Sequence, residues 1–339
     1  MKRILFAMAA MLVVATAVFA QDAKKVVIYA ALDEKTSNEL AAAFQAATGY
    51  TAEVALQMEQ AGTVAGRIKT EAPMARADVV IGGNSNFHAD LAAGGYLEKY
   101  TSPVVKTAGI SPKFMDPDGY WTGWYLGALC ILYNEKRYND EIKPKGIQPP
   151  ATWDDLLNPA YKGQVIASNP ATTGGAYLMV AAQIFRLGSE QAGFDYVRKL
   201  NDNVAQYTAG ANGSIPLVSQ GEAIVGVAWG HDTLKQKAQG NLPIVVVFPK
   251  DTGFEIGAAS IIKNAPHREA AQKFIDFLLS PEAGKINSAN GYRYPVRKGV
   301  ALPAGVPAFE SLALAPWDLK AAAANVDAWK KRWAEITGK

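Results

Sequence analysis

Two rhythms of apolar positions run along the chain. Short runs at residues 26–30, around 52–56 and at 77–81 read as buried strands, while Leu40, Ala43, Phe44 and Thr48 fall at helical spacing between them. A second helix is expected near residues 63–70, and the third strand ends at Gly82-Gly83 before Asn84-Ser85-Asn86 opens another helix. Strand and helix alternating in this way predict an α/β fold with a mostly parallel sheet flanked by helices. In such sheets, ligands bind beyond the carboxyl ends of the strands, where loops meet helix N-termini. After Pro149-Pro150 a short capped helix around Thr152–Leu156 is expected, and the pattern then restarts with a strand at 164–167, a loop through Thr172-Thr173-Gly174-Gly175 and a helix over 176–185. Further strands are expected at 223–228, 242–248 and 256–262, then a helix over 269–279, with Val326, Trp329 and Trp333 as the apolar stripe of a terminal helix. Two such sheets in one chain predict two lobes.

The first residues change the compartment. Met1-Lys2-Arg3 precedes an apolar stretch from Ile4 to Phe19, and Val18-Phe19-Ala20 leads into Gln21-Asp22. This is the pattern of a cleavable signal peptide over residues 1–20, too short and too polar in its flank for a membrane anchor. No Cys follows it, so no lipid anchor is expected, and the mature chain is expected in the periplasm. The lobes are expected at 21–122 with 258–312 and at 123–257 with 313–339, the second including the terminal helix.

Charge and cysteine content exclude several classes. The formal net charge is +3, of which Lys2 and Arg3 supply two, and acids and bases are interspersed. A nucleic-acid surface, which needs a clustered basic face, is not expected. The one cysteine, Cys130, sits in the apolar stretch 127–133, so no internal disulfide is available and a buried packing role is expected.

The order of several segments resembles the periplasmic solute-binding proteins of ABC transporters, in their ferric-binding, transferrin-like branch. The segments are Val27-Ile28-Tyr29-Ala30 with Phe44-Gln45-Ala46-Ala47-Thr48-Gly49, Ala77-Asp78-Val79, Leu132-Tyr133-Asn134 and Thr152-Trp153-Asp154-Asp155-Leu156-Leu157-Asn158-Pro159. Gly221-Glu222-Ala223, Ser280-Pro281-Glu282-Ala283-Gly284 and Gly291-Tyr292-Arg293-Tyr294-Pro295-Val296 complete the set. The resemblance implies the type II two-lobed binding-protein fold with ligand in the interlobe cleft, an inner-membrane ABC permease as partner, a monomer, and no catalysis, cofactor or resident metal. Ferric-binding members use two adjacent tyrosines, often with a His and a Glu. Here Asp33 stands at the His position, Gly83 near the Glu, and His231 and Asp232 at the tyrosine pair. An imidazole and a carboxylate are a poorer hard-oxygen set for ferric ion than two phenolates.

The residues that remain suggest an anion at one end and hydroxyls at the other. Thr172, Thr173 and Gly174 lie between a strand and a helix, where hydroxyls and backbone N–H groups face one point with the positive helix end behind them. Asn84 and Ser85 offer a second such helix start. Ordinary helix capping satisfies both patterns as well. His231, Asp232 and Glu255, with Asp33, form a polar set able to bind sugar hydroxyls, and Trp229 could cover a sugar face or simply pack. This resembles the hexose-phosphate-binding branch of the family, which implies a sugar phosphate such as glucose 6-phosphate. Organophosphonate or ferric iron with an anion are the alternatives. An exported phosphatase acting through Asp33, His231 and Asp232 is the enzymatic alternative, but the chain has no G-x-S-x-G elbow or H-E-x-x-H helix. Trp121, Trp124 and Tyr125 are expected to pack where the chain crosses between lobes. His88 is expected on a helix surface and His267 in solvent.

Overall fold

The computed structural model describes residues 24–58 and 60–339, so the expected signal peptide lies outside the described residues. The chain runs β1 (Lys25–Ala31), α1 (Glu34–Thr48), β2 (Thr51–Gln57), α2 (Ala61–Glu71), β3 (Val79–Asn84), α3 (Ser85–Ala93), β4 (Leu97–Glu98) and β5 (Thr122–Asn134). It continues through β6 (Val165–Ser168), α4 (Gly174–Leu187), α5 (Glu190–Asn201), β7 (Val204–Thr208), β8 (Val225–Trp229), α6 (Gly230–Gly240), β9 (Ile244–Val247) and β10 (Phe254–Ile262). Helices α7 (Arg268–Leu278), α8 (Pro281–Gly291) and α9 (Val326–Thr337) follow. These residues cluster into two compact units. The first holds the described residues up to Tyr125, Gly257–Asn290 and Pro295–Val300; the second holds Leu126–Ile256, Gly291–Tyr294 and Ala301–Lys339.

In the first unit β1 pairs in parallel with both β2 and β3, and β10 closes against β3 in the antiparallel sense. Val26, Ile28, Val79, Val80 and Ile81 have no exposed surface, as expected of parallel strands covered on both faces. Asp33 caps α1 by accepting from the Thr36 N–H, and Gly49 ends that helix at φ 71, where a residue without Cβ is unstrained. Phe44 on α1 meets Phe274 and Phe277 of α7 edge-on, at ring distances of 5.0 and 5.6 Å. Burial of such a side chain contributes roughly 1.5–3 kcal/mol. Asp78 is fully buried, and its carboxylate accepts from the backbone N–H groups of Val27 and His267.

The second unit carries the sheet order β9-β5-β8-β6-β7, with β6 parallel to β7 and β8, and β5 antiparallel to β8 and β9. Every position of β5 is buried, including Cys130, whose thiol burial pushes up to about 12. The core on the α4/α5 side joins Trp153, Tyr161, Tyr177, Phe194, Trp329 and Trp333, so the expected stripe on α9 does face inward. Residues 301–312, placed with the first lobe from sequence, cluster here, where Phe309 packs on Phe254 and Tyr294 at 6.3 and 5.1 Å. No helix among the described residues is long and apolar enough to cross a membrane.

Two histidines depart from expectation. His88 is fully buried rather than on a helix surface: its Nε2 donates to the Gly82 carbonyl at 2.8 Å, and its Nδ1 accepts from the Ser260 hydroxyl at 2.7 Å. Burial lowers its pKa to about 4. His267 is 16% exposed rather than solvated, because its Nδ1 lies 2.9 Å from the Asp78 carboxylate.

Candidate ligand-binding site

Strand β8 ends at Trp229, and α6 begins at Gly230 without a side-chain cap. The backbone at Gly230 runs close against the Phe248 ring and the Ala128 carbonyl, so a Cβ there would force the ring to move. The turn therefore presents His231 and Asp232 in the first turn of α6, where the positive helix end favours a carboxylate. His231 is 2% exposed and stacks on Trp229, with ring centroids 5.7 Å apart and planes at 24°. Its Nε2 lies 3.3 Å from Asp232 Oδ2. Asn212 completes this group: its Nδ2 donates to Asp232 Oδ2 at 2.7 Å, and its Oδ1 accepts from the Trp229 N–H at 3.3 Å.

Glu255, on β10, is buried beside them. What brings it close is Gly127 of β5, where a Cβ would stand 2.8 Å from His231 Nδ1 and 3.0 Å from Glu255 Oε1. Both side chains thus lie directly on the strand backbone. Burial would raise the Asp232 carboxyl, but the neighbouring His231, Arg293 and Asn212 overcome it and hold Asp232 well below the usual carboxylate range. Glu255 goes the other way: burial pushes its carboxyl up, against the pull of His231 and Arg293 and with the push of Asp232. Two carboxylates a few residues' reach apart are thereby differentiated, one firmly ionised and one nearer to carrying a proton. His231 Nδ1 has no hydrogen-bond partner among the described residues.

The Thr172–Gly174 turn belongs to the same unit. Thr173 caps α4, accepting from the Gly175 N–H at 3.3 Å, and Thr172 donates to the Asn169 carbonyl at 3.0 Å. Thr172 and Gly174 stay exposed at the helix start. A Cβ on Gly175 would stand 2.9 Å from Trp229 Nε1, so the indole bridges the α4 turn to His231. The sequence-derived residues Thr172, Thr173, Gly174, Trp229, His231, Asp232 and Glu255 therefore share one unit. Asp33, Asn84 and Ser85 belong to the first unit. There Asp33 Oδ1 accepts from Thr36 N and Oγ1 at 3.0 and 2.7 Å, and Asn84 Oδ1 accepts from the Phe87 N–H at 3.1 Å, so both carry out capping.

Sequence reasoning missed Gly127, Asn212 and Arg293. Gly127 had a signal, an isolated glycine within a strand, which marks close approach of another group. Asn212 precedes Gly213 and reads as a plain turn, and nothing in the sequence ties Arg293 to residues some 60 and 40 positions earlier.

Residues 75–325 match the family model described as bacterial extracellular solute-binding protein. The chain belongs to the bacterial extracellular solute-binding proteins. Among relatives of this solute-binding family, a Haemophilus influenzae protein is 32% identical over 66% of this chain, a match that spans only 64% of that protein. Iron uptake protein A1 of a Synechocystis strain is 30% identical over 83% of this chain and 78% of its own length. A putative 2-aminoethylphosphonate-binding periplasmic protein of Salmonella typhimurium is 28% identical over 87% of this chain and 81% of its own. The periplasmic binding protein AfuA of Actinobacillus pleuropneumoniae, solved with fructose-6-phosphate bound, superposes with a TM-score of 0.80 at 27% identity, covering 93% of this chain and 98% of that one. These relatives are type II periplasmic binding proteins rather than enzymes, and the described α/β architecture is theirs.

Proposed function

We propose that this solute-binding protein is the periplasmic receptor of an ABC importer and takes a phosphorylated sugar, a hexose phosphate such as glucose 6-phosphate. The observation that carries this reading is the contiguity, within one unit, of a helix start suited to an anion and a cluster suited to hydroxyls. The α4 turn with Thr172, Thr173 and Gly174 offers N–H groups and hydroxyls to a phosphate, backed by the helix dipole. Trp229 spans from that turn to His231, and Asp232 and Glu255 accept from hydroxyl groups while His231 Nδ1 completes the set. The likeness to a protein solved with fructose-6-phosphate supports the same reading. Asn84, Ser85 and Asp33 are the residues of the first unit to test.

Export by the signal peptide, delivery to an inner-membrane permease and a monomeric state complete the proposal. A phosphonate with an amine is the second reading, supported by the Salmonella relative. Ferric iron is a third, supported by the Synechocystis relative, but one imidazole and carboxylates are a poorer set for that ion than two phenolates. Calorimetry of the ligand-stripped protein against glucose 6-phosphate, inorganic phosphate, an aminoalkyl phosphonate and ferric citrate tests the order. Tight binding of the sugar phosphate over free phosphate is expected, and a response to the phosphonate or iron alone would replace the ligand.

A further inference from the structure

We infer that Asn212 is a positioning residue of this site: its side-chain amide fixes the Asp232 carboxylate so that one oxygen is held by the protein and the other is offered to a ligand hydroxyl. The inference rests on the proposed ligand reading and deepens it by naming what aims the acceptor.

The turn that carries Asp232 does not aim it unaided. No side chain caps the start of α6, and an aspartate in the first turn of a helix can fold back onto backbone N–H groups as readily as it points away. Asn212 comes from a separate loop, after β7, and grips both sides of the turn. Its Oδ1 accepts from the Trp229 N–H at 3.3 Å, and its Nδ2 donates to Asp232 Oδ2 at 2.7 Å. Only one orientation of the amide satisfies both, since an N–H can only donate and a carboxylate can only accept. His231 Nε2, at 3.3 Å, faces the same Oδ2. The protein thus claims Oδ2 twice and leaves Oδ1 to a ligand, on a side chain that keeps 21% of its surface exposed.

The loop that supplies Asn212 is itself tied down on both sides. The Ser168 and Thr208 hydroxyls each donate to the Gly210 carbonyl at 2.9 Å. Beyond residue 212, the Ile215 N–H donates to the Asn212 carbonyl at 3.1 Å, and the Ser214 hydroxyl donates to the Val227 carbonyl of β8 at 2.8 Å. Held between these points, the amide restricts the carboxylate before any ligand arrives, so ordering Asp232 is completed on folding and does not weaken binding. Loss of the amide returns that freedom to Asp232 without removing its charge.

The test is a double-mutant cycle read by calorimetry with glucose 6-phosphate, on wild type, Asn212→Ala, Asp232→Ala and the pair. Because it acts through Asp232, Asn212→Ala is expected to weaken binding by about tenfold when Asp232 is present and by less than about twofold when it is gone. A residue that only braced the turn would weaken binding alike in both backgrounds. Asn212→Asp keeps an acceptor for the Trp229 N–H but sets a second carboxylate against Asp232 Oδ2, and is expected to lose at least as much as Asn212→Ala; it carries the comparison if thermal melting shows the Ala variant unfolded. Equal losses in the two backgrounds, or no loss in either, overturn the assignment, as does an Asn212→Asp protein with wild-type affinity. 2-Aminoethylphosphonate taken through the same cycle keeps the two ideas apart. If it binds and glucose 6-phosphate does not, the sugar reading falls while the cycle still reports on Asn212. Glucose 6-phosphate that binds with additive losses removes Asn212 alone, and a wild type that binds neither compound overturns both.

Discussion

His88 and His231 are both buried histidines close to a strand-to-helix turn, one in each unit, and they are spent differently. His88 has both ring nitrogens taken, by Ser260 and by the Gly82 carbonyl. His231 has one nitrogen held by Asp232 and the other without a partner among the described residues. The same contrast runs through the turns themselves: Asn84 caps α3 with its side chain, whereas no side chain caps α6, leaving Asp232 to Asn212 and to whatever enters the site. A polar residue is available to a ligand to the extent that its own backbone and neighbours have not already claimed it.

The sharpest break of that contrast is by exchange of roles. Asp232→Ala should weaken glucose 6-phosphate binding by about a hundredfold or more, since a charged acceptor of hydroxyls is lost. Calorimetry showing wild-type affinity would remove Asp232 from the ligand end. His88→Ala should do the reverse: unfolding in urea should come about 2–4 kcal/mol easier, because Ser260 and Gly82 lose their partner inside the core, while affinity changes little.

The pH dependence of stability separates the two histidine environments next. A histidine whose folded pKa is about 4, against 6.5 when free, must stay neutral to remain folded. The unfolded chain then binds more protons between those values, so stability is full above pH 6.5 and falls as pH drops toward 4, by about 3 kcal/mol in all. Glu255, with its carboxyl raised, works in the opposite sense, gaining stability as pH falls through its folded pKa toward the ordinary carboxylate value. The clean quantity is therefore the difference between wild type and His88→Gln in urea midpoints across that window, and a constant difference would contradict the buried neutral ring. Asp232, held low, has its loss of stability only below its ordinary range, as pH falls through its folded pKa.

Smaller effects are expected at the caps. Thr173→Ala should cost about 1 kcal/mol of stability and about tenfold in phosphate-end affinity, whereas Asn84→Ala should cost the same stability with the lesser change in affinity. Equal affinity losses at both turns would show that the two units contribute alike and would blunt the comparison.

Much of this architecture was legible along the chain. Strands at 26–30, 164–167 and 256–262 fell within a residue or two of β1, β6 and β10, because runs covered on both faces leave a continuous apolar trace. The pair His231-Asp232 stood out only through the resemblance, since it stands where the ferric-binding branch carries two adjacent tyrosines. Arg293 and Asn212 did not, since their meaning lies in partners dozens of residues away. His88 misled for a related reason: a single His on a short helix carries no periodic signal, and only the fold reveals Ser260 opposite it.

The lone thiol has a practical consequence. Cys130 lies at the centre of β5 with no exposed surface, and its pKa near 12 leaves almost no thiolate in the folded chain. Alkylating reagents can modify it only when the sheet of the second unit comes apart. The chain thus carries a natural stopwatch for opening of the unit that holds the candidate site, and slower labelling in the presence of a bound solute would time how firmly that solute keeps it shut.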